Sequence, residues 1–294
     1  MSEVMVLERP SGIGSTMRDY LALSKSRIVM MVLITTAAGY FFGAQHVDWM
    51  LLLNTLLGTA LVAAGTNALN QYIERDHDAK MRRTRLRPLP DGRISPRAAL
   101  VFSVAISILG TLYLGLAVNW LTAGLGAFTL ITYIFIYTPL KRVSTICTLI
   151  GAIPGAIPPL MGWTAATGVL GTGGWIIFAI LFFWQLPHFM AISWMYRDDY
   201  ARGGFAMLAV RDDDGVATAG HAVFYSFALF IVSALPSFFG LATYVYLAGA
   251  IVAGSALTFV SFAFLASRTP IRARRLFMAS NIYLIVMMAL LVFA

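Results

Sequence analysis

Asn70-Gln71-Tyr72-Ile73-Glu74-Arg75-Asp76-His77-Asp78 closes an apolar run that begins near residue 49, and the fold turns on how that junction is read. On a helix of 3.6 residues per turn, positions four apart differ by about 40° around the axis. Asn70, Glu74 and Asp78 therefore share one face, and Asp76 points the other way. A row of one amide and two carboxylates at the end of an apolar helix is costly unless a cation fills the space before it. Hard oxygen donors on few side chains suit Mg²⁺, which keeps several waters and is commonly shared with substrate phosphates. A polar helix end close to water is the plainer alternative, and the segment by itself leaves both open.

The rest of the chain identifies the solvent. Of 294 residues, 59% are hydrophobic and 12% charged, and mean hydropathy is +0.79. Such a composition excludes an ordinary soluble domain and predicts an integral membrane protein. Nine apolar runs, at about 28–45, 49–73, 98–118, 120–138, 146–166, 174–196, 217–240, 243–266 and 276–293, have the length a bilayer-crossing helix needs. The expected fold is all-α, a polytopic membrane protein with nine transmembrane helices around a central cavity open to the cytoplasmic side. Residues 1–27 form a cytoplasmic N-terminal segment in this reading, and 28–294 a single intramembrane domain.

Charge placement supports the count. The 21 Lys and Arg fall as four before the first run, eight between the second and third, two after the fourth, three after the sixth and four after the eighth. These are alternate loops, so the positive-inside rule puts the N-terminus in the cytoplasm and, after an odd number of spans, the C-terminus outside. The net charge of +8 is thereby explained by topology, with no nucleic-acid surface required. Glu3, Glu8 and Asp19 in a segment without an apolar core argue against a signal or transit peptide and for a prokaryotic inner membrane. Cys147, the single cysteine, excludes an internal disulfide and any Cys-pair metal site. Short outer connections such as His46-Val47-Asp48 make neighbouring helices antiparallel hairpins.

The two large inner loops, 74–97 and 197–216, hold nine of the 13 acidic residues, which assigns chemistry to the cytoplasmic face. After Asp78 comes Lys80-Met81-Arg82-Arg83-Thr84-Arg85-Leu86-Arg87. Carboxylates for a metal followed by guanidinium forks are what a diphosphate requires, and Arg83 with Arg87 is the preferred pair. In the second loop Asp198 and Asp199 follow the sixth run directly, and Arg202 lies beyond them. The two acidic clusters would face one another across the cavity and hold metal on one diphosphate. Asp212 to Asp214 are read as a helix cap. Lys141 and Arg142, beside Tyr133 and Tyr137, add diphosphate contacts. The fifth run carries Pro154, Pro158 and Pro159, which either break the helix beside a cavity or accompany a Gly151/Gly155 packing seam. Gln185 and His188 lie inside the sixth run, where polar residues are functional candidates by default. At 1.5 Å per residue His188 lies roughly 16 Å from Asp199, deeper than the metal. His221, at the start of the seventh run, is a further candidate of the same type.

Asn70-xxx-Glu74-xxx-Asp78 with Arg83-Thr84-xx-Arg87-Pro88 resembles the first signature of the UbiA superfamily of intramembrane prenyltransferases. Tyr137-Thr138-Pro139-Leu140-Lys141-Arg142, then Gly151-Ala152-xx-Gly155-Ala156-xx-Pro158-Pro159-xx-Gly162-Trp163, Trp184-Gln185-x-Pro187-His188-Phe189 and Asp198-Asp199-Tyr200-xx-Gly203-Gly204 are similar to its haem-farnesylating branch. The likeness covers about residues 20–290. It implies transfer of a farnesyl group from farnesyl diphosphate to a vinyl group of protohaem IX (haem B), giving haem O and releasing diphosphate with the help of Mg²⁺. Asn70, Glu74, Asp78 and Asp199 would be catalytic, and with Asp198 they would hold metal. Arg83, Arg87, Lys141, Arg142 and Arg202 would bind diphosphate, and His188, His221 and Gln185 the haem. Haem A synthase or terminal oxidase assembly would be partners within the lipid bilayer. Glu74 departs from the family, where most relatives carry Asp, and Gly203 stands four residues after Asp199 in place of a second carboxylate. Two other readings stay open: an aromatic prenyltransferase of quinone or chlorophyll synthesis, which gives His188 no particular role, and a transporter, which would not need a carboxylate row followed by an Arg run.

Overall fold

The computed structural model describes residues 13–293. Among them are nine helices long and apolar enough to cross a membrane: Ser26–Gly43, Trp49–Asp78, Pro96–Ala117, Trp120–Leu140, Cys147–Thr167, Thr172–Met195, Val216–Phe238, Tyr244–Ala266 and Pro270–Phe293. The expected spans are recovered with edges displaced by a few residues, most at the ninth, which already begins at Pro270, and at the second, whose helix continues through the polar row to Asp78. Part of the expected N-terminal segment, residues 1–12, lies outside the described residues; Ile13–Leu23 forms a short helix before the first span.

Local chemistry starts and stops these helices. Asp48 accepts from the N–H groups of Met50 and Leu51 at the head of the second span, and Asn119 from Thr122 at the head of the fourth. Gly168, at φ 76°, closes the fifth in the left-handed conformation that glycine adopts freely. Lateral association uses small hydroxyls, because apolar contact alone discriminates poorly between helix and lipid. Ser226 bonds Ser261 at 2.7 Å between the seventh and eighth spans, and Thr122 bonds Thr164 at 2.9 Å between the fourth and fifth.

The three prolines of the fifth span sit within one unbroken helix. Of the two readings, the packing seam is what the structure contains. A Cβ on Gly155 would lie 1.9 Å from Gln185 Oε1, and one on Gly162 1.9 Å from the Thr36 carbonyl oxygen of the first span. The irregular element lies in the fourth span instead, where Thr132–Tyr137 is a π-helical turn and the Thr138 N–H reaches back five residues to the Tyr133 carbonyl. Pro139 follows at once in the short α-helical turn Thr138–Leu140, and having no N–H it makes no ladder bond of its own there.

The charged loops meet at one end of the bundle. Arg82 N–H donates to Asp199 Oδ1 at 3.2 Å, His77 Nδ1 lies 2.6 Å from the Gly203 carbonyl, and Arg268 Nε donates to the Asp214 carbonyl at 2.8 Å. Beneath them Met81, Tyr137, Cys147, Phe205 and Met207 form a small apolar cluster that fixes the two acidic loops to the fourth and fifth spans.

Candidate active site

The last two turns of the second span present Asn70, Glu74 and Asp78 to the interior. All three are buried, whereas the Asp76 side chain is 79% exposed. Each inward oxygen faces a cation from a different part of the chain. Lys25 Nζ donates to Asn70 Oδ1 at 2.9 Å, Lys141 Nζ to Glu74 Oε1 at 2.8 Å, and Arg87 to Asp78 Oδ2 at 2.6 Å. Across the loops, Arg202 pairs with Asp199 at short range.

Hydrogen-bond accounting fixes the orientation of the Asn70 amide. Thr138 gives its single hydroxyl proton to the Tyr133 carbonyl, so Thr138 Oγ1 can only accept from Asn70 Nδ2, at 3.2 Å. The amide oxygen is thereby turned toward Lys25. The π-turn thus matters to the site, since it is the element that seats Thr138 and then Lys141 against the second span. Lys141 also lies 4.6 Å from the centroid of the Tyr137 ring.

Lys25 is held in an unusual place. Its φ of 52° and ψ of 57° make it the one non-glycine residue with positive φ among the described residues. A left-handed L-residue costs about 1–2 kcal/mol, so something must hold it. Gln71 does, donating its side-chain amide to the carbonyls of Ala22 and Leu23 at 3.1 and 2.6 Å.

Burial and neighbouring charge tune these groups. Burial, then the Arg87 guanidinium, pushes the Lys25 amine down to about 7. Burial also opposes the charge on Lys141, but Glu74 outweighs it and holds that amine well above the usual lysine value. Asp199 is pushed up by burial and pulled down further by Arg202 and the Arg82 N–H, so it ends below the ordinary carboxylate range.

Several candidates make other contacts. Asp198 is 84% exposed beside Arg197, outside the row. Arg83 stacks over Tyr196 and Tyr200, 5.1 and 5.9 Å from their centroids, because the segment after Asp78 runs as turns and a four-residue spacing no longer shares a face. Arg142 is spent on the Ile73 carbonyl at 3.2 Å. Gln185 donates to the carbonyls of Ala152 and Leu181, as a strut between the fifth and sixth spans. His221 is exposed on the seventh span and bonds the carbonyl of Ala217, with no contact to His188.

His188 stands apart from the charged row, against the ninth span. Its ring stacks on Trp184, centroids 4.9 Å apart, and faces Phe277 at the same distance. Nδ1 lies 2.9 Å from Ser280 Oγ, and Ser280 gives its own proton to the Phe277 carbonyl at 2.8 Å. Ser280 must therefore accept from His188 Nδ1–H, leaving the lone pair of a neutral ring on Nε2.

Sequence reasoning missed Lys25, His77, Thr138, Gln71 and Ser280. His77 lies in the Asn70-to-Asp78 stretch, but its partner Gly203 is 126 residues away. Lys25 stands in the sequence only as one of four basic residues before the first apolar run.

As a cation site the row fits hard-oxygen chemistry. Among the described residues no three His, Cys, Asp or Glu side chains converge to hold a metal, and two carboxylates with one amide suit an ion that shares its coordination with a phosphate.

Comparison with known proteins agrees with this architecture. Residues 32–285 match the UbiA prenyltransferase family. The chain is 47% identical over 278 residues to a protoheme IX farnesyltransferase of Solibacter usitatus, covering 91% of this chain and 95% of the relative. Among solved structures, it superposes at a TM-score of 0.79 and 18% identity on a chain from work on digeranylgeranylglyceryl phosphate synthase, covering 95% and 98% of the two. A UbiA homolog from Archaeoglobus fulgidus bound to GPP and Mg²⁺ superposes at 0.64 and 16% identity, covering 93% and 99%. With nine spans, the carboxylate row and these relatives in agreement, the chain belongs to the UbiA prenyltransferase family.

Proposed function

We propose that this membrane enzyme transfers a farnesyl group from farnesyl diphosphate to a vinyl carbon of protohaem IX, giving haem O. The observation that carries the prenyl diphosphate half is the alternation of Asn70, Glu74 and Asp78 with Lys25, Lys141 and Arg87 at one end of the bundle. Oxygens for a divalent ion and cations for phosphate occupy one surface. The acceptor half is supported by the 47% identity to a protoheme IX farnesyltransferase and by the aromatic-flanked His188.

Asn70, Glu74, Asp78 and Asp199 would hold Mg²⁺, an ion that a solved UbiA homolog binds together with GPP. When bound, the ion neutralises charge that builds on the departing diphosphate. Arg87 and Lys141 grip its oxygens, so the stabilising charges are in place before the allylic C–O bond breaks. The vinyl carbon then takes the farnesyl carbon, water adds at the neighbouring position, and a proton leaves. His188, with Nδ1 committed to Ser280, offers Nε2 to the haem. Asp198 and His221, both exposed, and Arg83 and Arg142, whose guanidiniums are engaged by tyrosine rings and by the Ile73 carbonyl, are given no role in that scheme. The charged end is assigned to the cytoplasm, with the N-terminus inside and the C-terminus outside.

Purified protein supplied with haem B, farnesyl diphosphate and Mg²⁺ should make a more hydrophobic haem, separable by chromatography and heavier by one farnesyl group and one hydroxyl. If no new haem forms and 4-hydroxybenzoate is prenylated instead, the acceptor assignment is wrong.

A further inference from the structure

Along the second span, the site spends one cation on each side chain whose oxygen a metal would need. Lys25 is on Asn70, Lys141 on Glu74 and Arg87 on Asp78. Adjacent residues of one helix divide the work on Lys25, for Gln71 fixes its left-handed turn and Asn70 receives its ammonium. A strained turn held this way places the amine for more than packing, since a lysine that only marked topology would need no such anchor.

We propose that Lys25, Lys141 and Arg87 are stand-in cations, each occupying a metal-ligand oxygen in the ligand-free site and moving to a phosphate oxygen when metal and diphosphate enter together. This rests on reading the surface as a prenyl diphosphate site. Charge balance gives the reason. With Lys25 protonated, three cations against two carboxylates leave the row with one excess positive charge, and the Asp199–Arg202 pair adds none. Mg²⁺ alone would raise that excess inside a poorly screened space and would have to compete with an ammonium or guanidinium for every oxygen. A diphosphate ester with about three negative charges, entering alone, would meet two carboxylates. Entering together with one Mg²⁺, it brings the cluster to neutrality. Long, flexible lysine stems suit such an exchange, because the ammonium can swing while the backbone stays fixed. Lys25 is thereby a residue of the site, and the site selects the metal diphosphate over either part.

Mn²⁺ binding to the full-length purified protein, followed by EPR at fixed free Mn²⁺, tests this with inorganic pyrophosphate present or absent. Pyrophosphate should tighten Mn²⁺ by roughly 5–150-fold, the usual span of coupling between sites. Lys25→Asn tolerates the left-handed turn and removes the amine; it should bind Mn²⁺ alone more tightly than the parent and gain less from pyrophosphate, while Lys25→Arg behaves like the parent. Should Lys25→Asn not fold by size-exclusion, Lys141→Met carries the same expectation at Glu74. Equal Mn²⁺ affinity with and without pyrophosphate in the parent, or a folded stand-in variant matching the parent in both arms, overturns the proposal. Coupling without haem farnesylation would remove the acceptor assigned above and leave the stand-in role intact; haem farnesylation without coupling would do the reverse.

Discussion

Asp78 is the most enclosed carboxylate of the row, its side chain 1% exposed, with Arg87 on Oδ2 and its carbonyl taken by Thr84. Asp78→Asn keeps the shape and removes the charge. Turnover should fall by about 10²–10³-fold, the scale of losing one preorganised electrostatic partner, as read by chromatography of the haem product. Haem binding, followed by difference spectra, should be retained, because His188 contacts the ninth span and none of the row; loss of haem binding would contradict that separation. Ser280→Ala makes the complementary prediction. It frees the His188 ring to rotate and lose its Nδ1–H tautomer, so haem should bind about 10–100-fold more weakly, as for a metal-ligating histidine deprived of its orienting partner. The KM for farnesyl diphosphate should not change. At this scale the row itself was legible, since its four-residue period is written along one helix. Ser280 was not, because it lies 92 residues from His188 and nothing local marks a serine in a lipid-spanning helix as a histidine's partner.

Glycine spacing and caps decide the elements. Gly162→Ala would set a Cβ 1.9 Å from the Thr36 carbonyl oxygen, a backbone atom that cannot swing aside, whereas Gly124→Ala meets open space. The first should cost about 1–3 kcal/mol or more and lower Tm in detergent; the second should leave Tm unchanged, and equal shifts would refute the seam. The head of the seventh span gives a pH-dependent test. Burial pushes the Asp212 carboxyl up, but Thr218 and the N–H of Ala217 hold it below its ordinary value. A depressed carboxylate contributes stability that is present above the unfolded value of about 3.9 and is lost as pH falls through the lower folded one. Asp212→Ala should therefore cost about 0.5–2 kcal/mol at neutral pH, with the gap in Tm from the parent closing as the medium is acidified below pH 4. The cap was readable as Asp212 to Asp214 before Gly215. The π-turn at Thr132–Tyr137 was not, because the prolines that drew attention lie in the fifth span, where glycine contacts with the first and sixth spans keep the helix whole.

Across the whole molecule, span number was legible because hydropathy is a local property of each run, and the charge pattern fixed which connections share an end. Lateral order was not legible, since lipid-facing and helix-facing residues are equally apolar: the first span packs against the fifth, and the sixth against both seventh and ninth. The gathered loops, where Arg197 reaches the Asp213 carbonyl and Arg268 that of Asp214, agree with the sorting of basic residues but do not say which compartment they face. Cys147 makes that question accessible. It is the single cysteine, buried 3.5 Å from Met207 Sδ, so Cys147→Ala removes it from the count at the cost of a small packing change. In that background Leu170→Cys, 42% exposed between the fifth and sixth spans, reports the uncharged end, and Arg85→Cys, also exposed, reports the charged end. The positive-inside rule puts Arg85 in the cytoplasm. A membrane-impermeant maleimide added to intact cells should therefore label Leu170→Cys and not Arg85→Cys, and inverted membrane vesicles should reverse the result. Labelling of Arg85→Cys from outside the intact cell would turn the molecule over, placing the carboxylate row and its diphosphate on the wrong side of the bilayer for a cytoplasmic prenyl donor.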